Sequence, residues 1–250
     1  MKIALFGYGR IGRRHFANLR EADLVGEVMV YDPASHPTKE PGVLISDSAL
    51  GALEWADAAI IATPASEHAF LMLACAERGV PFLVEKPPVA VDQAYMLESI
   101  VNAAEGLPCA VGFNYRFHHV VQSLMAAPDR LECVYEFEAR DDLVGHYGRT
   151  VVETMASHAV DIALYLGGEA VRVSLRTDGV EFAGTIEHLG GARSLFDQRM
   201  NRGPRLSRVS DRLLYPDDAM YRLELRAWLD WVPGATHDPP PPTLHDALQV

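Results

Sequence analysis

Cysteine is scarce, with three in 250 residues: Cys75, Cys109 and Cys133, lacking any C-x-x-C pair or a histidine at zinc-ligand spacing. That excludes a disulfide framework and a structural zinc site, so no metal is expected and a reducing cytoplasm is the natural setting. Positive charge is thin as well, 22 lysines and arginines against 34 aspartates and glutamates, for a formal net charge of −12. A surface of that sign repels a phosphate backbone and argues against nucleic acid as a partner. Long apolar runs are missing too: the first, Ile3 to Phe6, is four residues long and leads into a glycine-rich turn. No targeting segment, membrane span or membrane partner is therefore expected. With 49% of its residues hydrophobic, the chain has apolar material for one large domain or two modest ones.

Met1 to Phe6 reads as a short apolar strand, followed by Gly7-Tyr8-Gly9-Arg10-Ile11-Gly12 and a helical pattern from Arg13 to Arg20. This is G-x-G-x-x-G in the strand, turn and helix setting that its mechanism needs. Gly7 permits the tight turn, Gly9 lets a pyrophosphate approach the backbone, and Gly12 lets helix and strand pack closely, while the helix N-terminus offers free N–H groups. Arg10 and Ile11 lie within the same turn and join the cofactor-binding candidates. A second apolar strand, Val28 to Asp32, ends in an acid 20 residues beyond Gly12, where a carboxylate can accept hydrogen bonds from an adenosine ribose. Asp32 favours NAD over NADP, because a carboxylate repels a 2′-phosphate; His36 and Lys39 can soften that preference.

Further strands recur in a βα rhythm at Ala58 to Ala62, Pro81 to Val84 and Cys109 to Gly112, with helices over about 66–78 and 92–105 between them. A parallel, doubly wound sheet follows, and such sheets bind ligands at the carboxyl ends of their strands. The stretch Val84-Glu85-Lys86-Pro87-Pro88 occupies one of those ends. Its two prolines restrict the backbone, and a lysine held there can hydrogen-bond a substrate oxygen and favour alkoxide character.

After His119 the rhythm changes. Strands are expected over 131–140, 170–177, 180–189, 192–200 and 206–214, with a helix over 152–166 and an amphipathic one over 218–231. The fold class is therefore an α/β Rossmann domain, residues 1–118, followed by a smaller α+β domain, residues 119–250, with an open, mainly antiparallel sheet. On the 152–166 helix, Thr154, His158 and Asp161 share one face. Six arginines between Arg193 and Arg212, with Arg199, Arg202, Arg205 and Arg208 between them, stand out in an acidic chain. They form either a solvated hairpin or a wall for an anionic group.

The ordered set Gly7-x-Gly9-x-x-Gly12-x-x-His15, Ala62-Thr63-Pro64-x-x-x-His68, Glu85-Lys86-Pro87, Gly112-Phe113-Asn114-Tyr115-Arg116-Phe117 and Ser157-His158-x-x-Asp161 resembles the Gfo/Idh/MocA oxidoreductases over about residues 1–170. The resemblance implies hydride transfer between a nicotinamide and a carbinol carbon of a sugar, inositol, nucleotide sugar or related compound. It places Lys86 beside the nicotinamide and makes His158 the group that exchanges the hydroxyl proton. It also implies a small-molecule substrate and a homodimer or homotetramer formed through the open sheet. Thr63, Pro64, His68 and Glu85 fall where the family's loops line the cofactor, although Thr63 and Pro64 also suit a plain turn and His68 a structural role. Arg116, with Thr154 and Asp161, is a substrate-binding candidate; a structural ion pair explains Arg116 equally well. One position departs from the family pattern, which carries an acid where this chain has Thr154. That departure leaves open reduction of an imine or another unsaturated group, and a trimmed second domain leaves open a non-catalytic NAD-binding role in regulation or assembly.

Overall fold

The computed structural model describes residues 1–34, 43–126, 132–140, 151–177, 182–201, 207–209, 212–214 and 217–250; of 132–140, 151–155, 198–201, 207, 208 and 213 it describes the backbone. His36, Lys39, Arg202 and Arg205 lie outside the described residues, as do the side chains of Thr154, Arg199 and Arg208. The chain divides into two units, Met1–Gly112 with Tyr221–Leu248, and Phe113–Met220 with Gln249–Val250. The expected boundary at 118 thus lies a few residues beyond this division, and the 221–248 segment clusters with the first unit.

Six parallel strands form the first unit's sheet: β1 (Lys2–Phe6), β2 (Glu27–Tyr31), β3 (Val43–Ile45), β4 (Ala58–Ile61), β5 (Phe82–Val84) and β6 (Ala110–Val111), in the order β3-β2-β1-β4-β5-β6. Its central strands are sealed on both faces, so they read as unbroken apolar runs: Ile3 to Phe6 and Ala58 to Ile61 are all 0% exposed. Strand order reverses between β1 and β4, which makes their carboxyl ends the natural ligand crevice. Helices α1 (Arg10–Arg20), α2 (Ala49–Trp55), α3 (Ala65–Ala76) and α4 (Leu97–Ala103) make the crossovers. Helix α1 buries Gly12, Phe16 and Leu19, spaced at i, i+4 and i+7, and leaves its arginines outside. Strand β3 and helix α2, begun by Ser48 accepting the Gly51 N–H, extend the sheet beyond the expected elements. The expected 92–105 helix begins instead as a 3-10 segment, Val91–Met96.

The proline-rich close covers the edge of β6. The Pro242 carbonyl accepts the Val111 N–H at 2.9 Å, and Ala110 bridges Thr243 in antiparallel fashion. Prolines donate no N–H, so a segment of this composition satisfies an edge without continuing the sheet.

The second unit contains β7 (Glu132–Arg140), β8 (Ala170–Thr177), β9 (Phe182–His188), β10 (Arg193–Asn201), β11 (Ser207–Val209) and β12 (Arg212–Leu214), ordered β12-β11-β7-β10-β9-β8. Among the described residues, all its pairings are antiparallel except β7 with β10. The single strand expected over 206–214 is a pair of short antiparallel strands, β11 and β12. Helices α5 (His119–Met125) and α6 (Val151–Gly167) accompany this sheet, while α7 (Asp218–Trp231) and α8 (Leu244–Ala247) follow in sequence. His188 pins the end of α6: its Nδ1 meets the Gly168 carbonyl and its Nε2 the Ser194 hydroxyl, each at 2.8 Å.

Candidate active site

Steric exclusion shapes the glycine turn. Gly7 sits at φ +89°, and a Cβ there would lie 2.5 Å from the Ala62 carbonyl oxygen. A Cβ on Gly12 would lie 2.0 Å from the Gly7 carbonyl oxygen, so α1 packs onto the turn this closely only with glycine. Gly9 differs, because a Cβ there meets nothing within 4 Å. The protein's own packing does not demand that glycine. Open space at a helix N-terminus, where amides and the helix dipole favour negative charge, suits a pyrophosphate. Arg10 is exposed and Ile11 half-buried at the start of α1.

Asp32 follows β2 and ties it to the turn: one carboxylate oxygen accepts the Tyr8 N–H at 2.6 Å and the other the Ala34 N–H at 2.8 Å. After β4, the buried Thr63 hydroxyl has no hydrogen-bond partner among the described residues. Exposed Pro64 precedes α3.

His68 lies buried in α3, with Nδ1 2.9 Å from the Pro87 carbonyl and Nε2 2.9 Å from the Thr63 carbonyl. Burial lowers the affinity of this imidazole for a second proton and outweighs the two carbonyls and Glu85, which favour it. A neutral ring donates to one carbonyl at a time, so His68 couples the two turns without saturating both.

Glu85 follows β5 and is 7% exposed; His15 of α1, 1% exposed, stands with Nε2 2.8 Å from Glu85 Oε1. Burial opposes ionisation of Glu85, but the His15 hydrogen bond and the electrostatic influence of His15, Lys86 and His68 outweigh it, holding the carboxyl below its ordinary value. Lys86 is half-buried, and the Lys86–Pro87 peptide is cis.

In the second unit, the buried His158 of α6 meets the Tyr115 ring edge-on at 4.7 Å between centroids. Three residues further along α6, Asp161 is fully buried and takes a forked pair of bonds from Arg116, with Nε 2.9 Å from Oδ1. The Arg116 guanidinium also lies over the Tyr165 ring, 5.0 Å from its centroid. Two of the expected substrate contacts are therefore paired with each other. Asn114, 1% exposed, has a side-chain carbonyl without a hydrogen-bond partner among the described residues.

Residues 1–115 match the model of an oxidoreductase family described by its NAD-binding Rossmann fold. That family is Gfo/Idh/MocA, and over these residues the chain is similar to it. Among curated relatives, the scyllo-inositol 2-dehydrogenase (NAD(+)) of Bacillus subtilis is 30% identical over 194 residues, 70% of this chain and 56% of that one. The inositol 2-dehydrogenase of Rhodococcus jostii is 30% identical over 139 residues, 52% of this chain and 38% of that one. The chain thus spans about half the length of the curated relatives it matches. Among solved structures, a probable dehydrogenase from Thermotoga maritima shares the fold with a TM-score of 0.83 at 17% identity, over 99% of this chain and 92% of that one.

Within the first unit, Gly7, Gly9, Arg10, Ile11, Gly12, Asp32, Thr63, Pro64, Glu85 and Lys86 all fall in the glycine turn or just after β2, β4 and β5. His15 was visible in the motif, but its partner lies 70 residues away, beyond the reach of any local pattern. A third cluster, His118, His119 and Asp217, brings ligand atoms within 4.8 Å of one another. His118 Nδ1 and Asp217 Oδ1 already accept the cap N–H groups of Val120 and Met220, and the two imidazoles stack rather than converge. That is the geometry of two helix caps.

The glycines give a contrasting pair of expectations. Gly9→Ala should melt like the parent chain yet lose at least about tenfold in NAD affinity by calorimetry, whereas Gly12→Ala should lower the melting temperature itself. Normal NAD binding in Gly9→Ala would show that no ligand fills the space beside it.

Proposed function

We propose that the chain is an NAD-dependent oxidoreductase that moves hydride to or from a carbinol carbon of an inositol, sugar or related polyol. The observation that carries this reading is the pairing of a glycine turn open at Gly9 with a lysine fixed just after β5 in the same unit. NAD supplies the hydride acceptor. In the oxidative direction, bound NAD would accept the carbinol hydrogen with its electron pair. Lys86 stabilises the oxygen as negative charge develops, and the hydroxyl proton passes to His158 as a carbonyl forms. Asp32 supports NAD over NADP because its carboxylate, fixed by two backbone N–H groups, repels a 2′-phosphate. The Arg116–Asp161 pair supports the position of α6 and so of His158. Exposed Val171, Val173 and Leu175 along β8 support self-association through the open sheet.

The test is NADH formation by the purified chain with NAD or NADP and a panel of myo-inositol, scyllo-inositol and hexoses. Turnover with NAD and at least one polyol is expected. No NADH from any of them, with NAD bound, would defeat the reading.

A further inference from the structure

His15 is a buried histidine with a single described task. Its Nε2 faces Glu85, while its Nδ1 has no hydrogen-bond partner among the described residues. Burying an imidazole edge without a partner is unfavourable, so the bond to Glu85 has to offset that cost. The bond spans from the glycine-turn helix to the residue immediately before Lys86. On the other flank, the carbonyl of Pro87, immediately after Lys86, meets His68 of α3. The lysine therefore projects from a turn that two helices grip, one on each side.

Glu85 is fixed in other ways. Its N–H donates to the Ile61 carbonyl at 2.8 Å, and its Cα and carboxylate fill the space beside Gly112, where a Cβ would come within 3.3 Å of them. The carboxylate is suited to hold a fixed negative charge in the residue adjoining Lys86, and among the described residues the charged or titratable groups that act on it are His15, Lys86 and His68.

We infer that His15 and Glu85 are positioning residues for Lys86, the pair fixing the strand end that carries the lysine and keeping a carboxylate beside its ammonium. His15 donates Nε2–H to Oε1. Without that donor, burial drives Glu85 toward its neutral form, and Lys86 loses the neighbour that favours its charge. The inference rests on the proposed role of Lys86, so its test reads the lysine amine directly and needs no turnover.

The experiment is acylation of the Lys86 amine by acetic anhydride, followed by mass spectrometry between about pH 7 and about pH 11. It uses the full chain as wild type, Glu85→Gln, His15→Leu and His15→Gln. In Glu85→Gln and His15→Leu, labelling near pH 8 should rise by about threefold or more and its inflection move to lower pH. His15→Gln returns an N–H donor to Glu85 and should track the wild type. Glu85→Gln keeps the shape of the side chain, so it carries the test even if His15→Leu melts early. Unchanged labelling in Glu85→Gln overturns the inference, and so does a His15→Gln profile that follows His15→Leu. Loss of the functional reading would appear separately, as an inactive wild type.

Discussion

Lys86→Met will bind NADH as the wild type does and lose about a hundredfold to a thousandfold in kcat with whichever polyol the wild type oxidises. Methionine keeps the length and apolar stem of lysine and removes its N–H donors. Those donors act on an oxygen whose charge grows only as hydride departs, so the loss falls on the transition state rather than on cofactor binding. A donor of this kind contributes about 3–4 kcal/mol when its position is fixed in advance. The position is fixed here by Pro87, by the His68 bond to the Pro87 carbonyl and by the buried Glu85. Lys86→Arg separates charge from placement: it keeps the charge but has a longer planar head, and should recover only a small part of kcat. Fluorescence titration of NADH beside steady-state rates decides the matter. A fully active Lys86→Met would remove the lysine from the chemistry, and equal losses in NADH affinity and kcat would make it a cofactor ligand only.

What could be read from the sequence follows from how local each signal is. Helix α7 lies over Asp218–Trp231, where its apolar period falls, and α6 runs one residue beyond the expected 152–166 at each end, closing before Gly168. The glycine turn and Asp32 were legible because each needs only its own neighbours. Strand β3 was not, since three residues, two of them exposed, carry neither an apolar run nor an alternation long enough to separate from a loop. The division of 206–214 into β11 and β12 depends on pairing, with Ser207 opposite Leu214 in one register and opposite Phe137 in another. The site shows the same limit. Glu85 and Lys86 announced themselves beside the prolines, but that Glu85 is held by His15 and that His68 joins the Thr63 and Pro87 carbonyls are facts of tertiary contact. The sequence left Arg116 open between ligand and ion pair because Asp161 stands 45 residues away.

That ion pair carries the other large expected effect. Arg116 and Asp161 have side chains 8% and 1% exposed, so removing one partner strands a charge where water cannot reach it. Asp161→Ala should cost about 3–5 kcal/mol in denaturant unfolding of the full chain. Arg116→Met should cost a similar amount, because it leaves the carboxylate buried without its forked donor. The double variant Arg116→Met with Asp161→Leu removes both charges and retains apolar volume, and should recover most of that loss, since an isosteric apolar pair often matches a buried ion pair in stability. Its NADH affinity should match the wild type. If Arg116 instead met the substrate, Arg116→Met would raise KM with little change in unfolding free energy, and Asp161→Leu would not rescue it. The cycle therefore separates the two roles through quantities that move in different assays: a coupling energy of several kcal/mol in unfolding assigns the pair to holding α6 and its His158, while a coupling near zero would return Arg116 to the ligand.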